Sequence, residues 1–257
     1  MKKLTLSVIA LSCFTASVSS HAVTLAESAY VSAKVGASSI SNYDNKSSFT
    51  YNTVATSKSE TSSVKLSDDS KTVFTGNIAY GVNFAPTYNV PVRLEVEYAY
   101  HGKAALHSSA SGSPVLSVSS LNIDNINYKH DLTLQSYMLN GYYDFTNHSR
   151  FTPYLSAGVG LAHTKLKTGA VLTSSTAIIE DGIGSNTKSH IALGIGAGFA
   201  YEINPKLHLD LGYHYLNGGN VTNRLHYINK STSDTVEVEN KVKVDAHDVT
   251  LGLRYAF

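Results

Sequence analysis

The chain has 257 residues, with 20 basic against 19 acidic side chains and a mean hydropathy of −0.08. That balance excludes the basic footprint of a nucleic-acid-binding protein. Beyond the N-terminus no window approaches the roughly eighteen continuous apolar residues of a membrane helix, which excludes a helical membrane protein.

The first element is predicted to be removed. Met1-Lys2-Lys3 is basic, Leu4 to Phe14 is mostly apolar, and Ser20-His21-Ala22 places small residues before a cleavage point. Residues 1–22 therefore read as a cleaved signal peptide and residues 23–257 as one mature domain, which the strand pattern below makes an outer-membrane β-barrel domain. The single cysteine, Cys13, leaves with the signal, so the mature chain needs no disulfide. Removing Lys2 and Lys3 takes the basic count from 20 to 18 against 19 acids, a balance near −1.

Eight alternating segments follow, each about the nine to eleven residues that cross a bilayer at a tilt. Tyr30 to Ala37 is the first, Val73 to Phe84 the second and Val92 to His101 the third. Leu132 to Phe145, the fourth, changes parity: Leu132 and Leu134 share one face, while Leu139, Tyr143 and Phe145 take the other. A bulge or a shifted boundary is expected there. Phe151 to Thr164 alternates Leu155, Ala157, Val159 and Leu161 with Ser156, Gly158, Gly160 and Ala162. Ser189 to Ile203 is the clearest, with one face wholly apolar and the other nearly without side chains. A glycine-crowded face suits the inside of a narrow barrel. Leu207 to Tyr215 and Val249 to Phe257 complete the set. Many tyrosines, including Tyr80, Tyr98, Tyr142, Tyr143, Tyr154, Tyr213 and Tyr255, fall near strand ends, where aromatic girdles are expected.

Connections alternate in length. Residues 85–89, 146–150 and 204–206 are short; about 41–71, 103–130, 165–188 and 217–243 are long and rich in serine and threonine. Short periplasmic turns and long extracellular loops are the rule for such barrels, which places both termini in the periplasm. Apolar alternation in Val115 to Val118 and Val236 to Val238 suggests strands projecting past the membrane. The fold expected is an all-β, eight-stranded antiparallel transmembrane barrel. Its last strand alternates Leu251, Leu253, Tyr255 and Phe257 outward and resembles the signal read by the barrel-assembly machinery, which with outer-membrane lipid is an expected partner.

Three stretches resemble the opacity (Opa) family: Val92-Arg93-Leu94-Glu95-Val96-Glu97-Tyr98-Ala99-Tyr100; Met138 to Phe145 followed by Phe151-Thr152-Pro153-Tyr154-Leu155-Ser156-Ala157-Gly158-Val159-Gly160; and the closing LGLRYAF. The resemblance covers strands and turns, not the long connections. It implies a small outer-membrane barrel of a Gram-negative bacterium acting as a surface adhesin, with a host-cell receptor bound through its loops, in a group also labelled porins. The fourth long connection departs from that family, where it is typically short, so no receptor site is carried over.

The inward parity collects Lys34, Arg93, Glu95, Glu97, Glu202, His208, Asp210, His214 and Arg254. An eight-stranded barrel is only wide enough for its own side chains to fill. Opposite charges in such a lumen are expected to pair and block it, rather than to form the selectivity ring of a pore. His208, Asp210 and His214 also invite an enzyme or metal reading. Alternate residues on a strand lie about 7 Å apart, however, and no G-x-S-x-G motif is present. No catalytic residue, metal or cofactor is therefore assigned. His101, His107, His130, His163, His190, His226 and His247 are expected near the water boundary. Adhesin or surface-interaction protein is the reading carried forward; a structural barrel or minor porin is the alternative.

Overall fold

The structure, a computed structural model, describes residues 28–53, 57–118, 121–173, 178–180, 184–228 and 235–257. The predicted signal peptide and its cleavage point, with Cys13, lie outside the described residues. No described helix is long and apolar enough to cross a membrane.

Ten strands run in chain order: β1 (Ala29–Thr53), β2 (Lys58–Lys65), β3 (Asp69–Asn83), β4 (Val92–Val118), β5 (Leu121–Asp144), β6 (Phe151–Thr173), β7 (Ile178–Glu180), β8 (Gly184–Asn204), β9 (Leu207–Ile228) and β10 (Thr235–Ala256). Each pairs antiparallel with its neighbour, and β1 closes the ring on β10 from Tyr30↔Ala256 to Asn52↔Thr235. The short β2 continues the stave of β3, since Asn42↔Asp69 and Lys46↔Lys65 keep one register along β1. The short β7 pairs with β6 alone. The barrel therefore has eight staves, with no free edge around its waist to recruit another strand.

The short connections lie as predicted. Residues 85–88 form one helical turn with Pro86 in its first positions, closed by Asn89 at φ 54°. At the last turn, Asn204 Oδ1 accepts bonds from the amides of Lys206 and Leu207, both at 2.9 Å.

The long connections are corrected. Most of residues 41–71, 103–130, 165–188 and 217–243 extends the same strands, so the barrel continues far past its apolar belt. Their serine- and threonine-rich outer face hides the strand signal, because a wall facing water shows no outward apolar alternation.

The parity change in the fourth predicted strand has the same origin. β5 runs from Asn125 to Asp144 against β6 without a register shift, so no bulge interrupts it. Its even residues face inward throughout. Leu132 and Leu134 are enclosed, whereas Tyr137, Leu139 and Tyr143 face out and are about half exposed. Below the boundary the apolar side is the outside; above it, the inside. The bulge lies in the neighbouring strand instead: Gly102 and Lys103 of β4 oppose the single Thr133 of β5. Further bulges at Asp44 (φ 50°) in β1 and Gly219 (φ 77°) in β9 mark the same transition.

Two layers follow. Around the lower wall Val35, Phe74, Ile78, Val96, Ile191, Leu193 and Ile195 point outward and are more than half exposed. A continuous apolar belt of this kind is satisfied by lipid, not water. Inside the upper wall Ile40, Leu106, Leu132, Leu134, Leu166, Val221, Val242 and Val244 form an enclosed apolar core.

Candidate functional site: the interior of the barrel

The inward face of β4 carries Arg93, Glu95, Glu97, Ala99 and His101 in succession, then Ala104 and Leu106 beyond the bulge. Descending β5 gives Leu132, Leu134, Ser136, Met138, Asn140, Tyr142 and Asp144 opposite them. Period-two geometry alone places these residues in one column.

Nearest the short turns, Arg93 grips Asp144 through Nε at 2.8 Å and Nη2 at 2.9 Å, a bidentate pair. Its guanidinium lies 4.4 Å from the Tyr142 ring centre and 5.1 Å from that of Tyr154. One level up, Lys34 Nζ donates to Glu95 Oε1 and Glu97 Oε2, both at 2.7 Å. Tyr30 and Tyr142 hydroxyls donate to the two oxygens of Glu95, at 3.1 and 3.0 Å. Across the lumen Arg254 lies 3.6 Å from Asp210, with its guanidinium over the Tyr30 ring. Each buried charge thus faces an opposite one, the arrangement a low-dielectric interior requires.

Of the predicted residues, Lys34, Arg93, Glu95, Glu97, Asp210 and Arg254 are enclosed and brought together. His214 is half-buried beside a small cavity, and its Nε2 has no partner among the described residues. His208 is half-buried opposite Arg254 at the short-turn mouth. Glu202 does not join: it is exposed at the rim, because the wall ends there. Leu251, Leu253, Tyr255 and Phe257 all face outward.

Four participants went unread in the sequence. Asp144 was obscured by the parity change in its strand, although its even number matches Leu132 and Leu134. Tyr142 and Tyr154 are interior residues rather than girdle residues, and Tyr30 joins them inside, each 2–3 % exposed. The glycine-rich face was the available clue. A Cβ on Gly198 would stand 2.5 Å from the Tyr154 hydroxyl, and one on Gly81 would collide with the Tyr30 ring. Glycine is present because rings fill that space.

Two histidines expected at the water boundary are enclosed instead. His101 Nε2 lies 2.9 Å from Asp248 Oδ2, between the charge layer and the apolar core. His130 stacks on Tyr128 with ring centres 5.8 Å apart, and its Nδ1 is 3.0 Å from Thr168 Oγ1. The odd inward parity of lower β4 and the even inward parity of β5 put them there. His107, His163 and His247 are exposed, as expected. The side chain of His226 lies outside the described residues.

The lumen is closed at two levels. Between the charge layer and the apolar core remains a cavity of about 30 Å³, bordered by Asn77, Glu97, Asn140, Ser156, His214 and Asp248. It has room for one or two waters. Above it, among the described residues, enclosed leucines and valines form a second, apolar layer across the interior. Among the described residues, no group of three or more His, Cys, Asp or Glu could hold a metal ion.

Comparison with known proteins agrees with this architecture. Residues 6–257 match the family described as outer membrane protein beta-barrel domain. The chain is 33% identical over 239 residues to outer membrane protein PagN of Salmonella typhimurium, covering 90% of each. It is 32% identical over 137 residues to opacity protein opA50 of Neisseria gonorrhoeae, covering 46% of this chain and 50% of that one. Neisserial surface protein A overlays at 18% identity and a TM-score of 0.40, covering 86% of this chain and 99% of its own. The closed eight-stave ring, its outward apolar belt and a family match along nearly the whole length lead to one conclusion: the chain belongs to the outer membrane protein beta-barrel domain family and resides in the outer membrane.

Proposed function

We propose that this barrel is a surface-interaction protein, an adhesin, that acts through the outer wall and tips of its long strands and not through its lumen. The observation that carries this reading is the doubly filled interior, an ion-paired layer beneath an apolar core. A lumen so filled passes no solute, which leaves the projecting wall as the working surface. The opacity-family resemblance supports adhesion, and a host-cell receptor is the partner proposed. In this reading the long-strand end faces the exterior and both ends of the mature chain face the periplasm. The closing strand, with Leu251, Leu253, Tyr255 and Phe257, engages the assembly machinery. The interior histidines and carboxylates are structural, and the barrel is not an enzyme.

Two measurements test this. Refolded protein in planar bilayers is expected to give no unitary conductance; stable, reproducible channels would return the porin alternative. Bacteria expressing the barrel are expected to attach to host cells, and replacing the projecting hairpins with short turns is expected to abolish attachment. Unchanged attachment by correctly inserted, shortened barrels overturns the adhesin reading.

A further inference from the structure

The projecting wall is not uniformly charged. On the β9, β10 and β1 side each outward cation among the described residues has a carboxylate at hand. Lys243 lies 2.7 Å and Lys46 3.4 Å from Asp44, while Arg224 lies 2.8 Å and Lys241 3.3 Å from Glu239. The β4, β5 and β6 side differs. Lys103 pairs with Asp131 at 2.7 Å, but Lys129, Lys165 and Lys167 have no ion pair among the described residues. Register draws them together: Asp131 is opposite Lys167, Thr133 opposite Lys165, and Lys129 is the next outward residue of β5. The Lys103 ammonium holds the Asp131 carboxyl below the usual carboxylate range, with Lys129 and Lys167 adding to the effect. Four lysines thus surround one acid.

Their height is equally specific. The belt on these staves ends outward at Tyr100 of β4, Tyr137 of β5 and Leu161 of β6, with Val171 standing alone farther up β6. Lys165 stands four residues past Leu161, about 13 Å along the strand and roughly 10 Å above the belt at an ordinary barrel tilt. Lys103, three residues past Tyr100, and Lys165 thus stand at the depth of a lipid headgroup, with Lys167 and Lys129 about 5 and 10 Å higher on the same lateral wall.

We propose that Lys103, Lys129, Lys165 and Lys167 bind the phosphate groups of the phosphorylated glycolipid in the membrane's outer leaflet. This rests on the outward orientation given above. Lysines along a membrane-adjacent wall attract anionic headgroups additively. The balanced opposite side offers no such field, so the lipid binds one flank of the barrel.

The test uses the full mature chain refolded in detergent micelles and titrated with fluorescent bisphosphorylated lipid A. The triple variant Lys129→Gln, Lys165→Gln, Lys167→Gln is expected to bind about a hundredfold more weakly, and Asp131→Asn about fivefold more tightly. The control Arg224→Gln, Lys241→Gln on the opposite wall is expected to bind as the parent does. Heat-modifiable gel migration verifies that each variant is folded. Native affinity in the triple variant, or equal binding of dephosphorylated lipid A, overturns the proposal. Displacement by inorganic phosphate at equal concentration assigns the lysines to a free anion and also overturns it. So does a sulfated oligosaccharide that binds through the same lysines more tightly than lipid A. Micelles have no sidedness, so failure here sinks the lipid site alone. Failure of an impermeant reagent to label Ser57→Cys on intact cells sinks the orientation alone.

Discussion

Arg93 and Asp144, on neighbouring strands, meet in a two-bond pair of 2.8 and 2.9 Å inside the barrel, with the guanidinium beside two tyrosine rings. Removing one partner strands the other charge. Asp144→Ala is expected to lower unfolding stability by about 3–5 kcal/mol. Urea titration of the barrel in lipid vesicles, followed by far-ultraviolet circular dichroism since the chain lacks tryptophan, measures this. A change within error would mean the pair is hydrated and not enclosed.

Lys34 is the only cation bonded to Glu95 and Glu97 among the described residues. Lys34→Met leaves two carboxylates near each other with no countercharge, so a loss of about 3–5 kcal/mol is expected. The triple change Lys34→Met, Glu95→Gln, Glu97→Gln is expected to recover most of that loss, because no naked charge remains. If the triple variant is no more stable than Lys34→Met, repulsion is not the cause.

Leu134 and Leu139 lie five residues apart in β5 but face opposite surroundings. Leu134→Ala opens a cavity in the enclosed core and is expected to cost about 2–5 kcal/mol. Leu139→Ala faces lipid, which flows into the space, so only the transfer part of about 1–2 kcal/mol is lost. Equal costs in the same titration would argue that the upper core is loosely packed.

His130 lies above the membrane belt, and burial, helped by His107, holds it down at about 4. The unfolded chain takes up its proton near pH 6.5, the folded chain only near 4. This contribution is therefore intact above pH 6.5 and lost as pH falls to about 4, by roughly 2–3 kcal/mol. Amide exchange of the upper β5 and β6 strands at pH 7 and pH 4.5 reads it. Acid is expected to speed exchange in the parent more than in His130→Gln; identical acceleration in both would assign the effect elsewhere.

Much of this protein is legible without coordinates, for a physical reason. In a membrane barrel the side-chain period of two and the lipid outside are both fixed, so parity names the face of Arg93, Glu95 and Glu97 directly. The same parity exposes the glycine face of β8 and the outward row Leu251, Leu253, Tyr255 and Phe257. What parity cannot carry is a change of solvent along one strand. Where lipid gives way to water the apolar face turns inward, so Leu132 and Leu134 imitate a bulge that actually lies at Gly102 and Lys103 of β4.

Only tertiary structure decided the rest. That the serine-rich connections are strands depends on backbone pairing, which polar side chains do not announce. That Asp144 completes Arg93 depends on the pairing of β4 with β5, and that His101 meets Asp248 depends on closure of β1 onto β10. Closure sets which inward residues face one another across about a barrel's width, a distance no local pattern encodes.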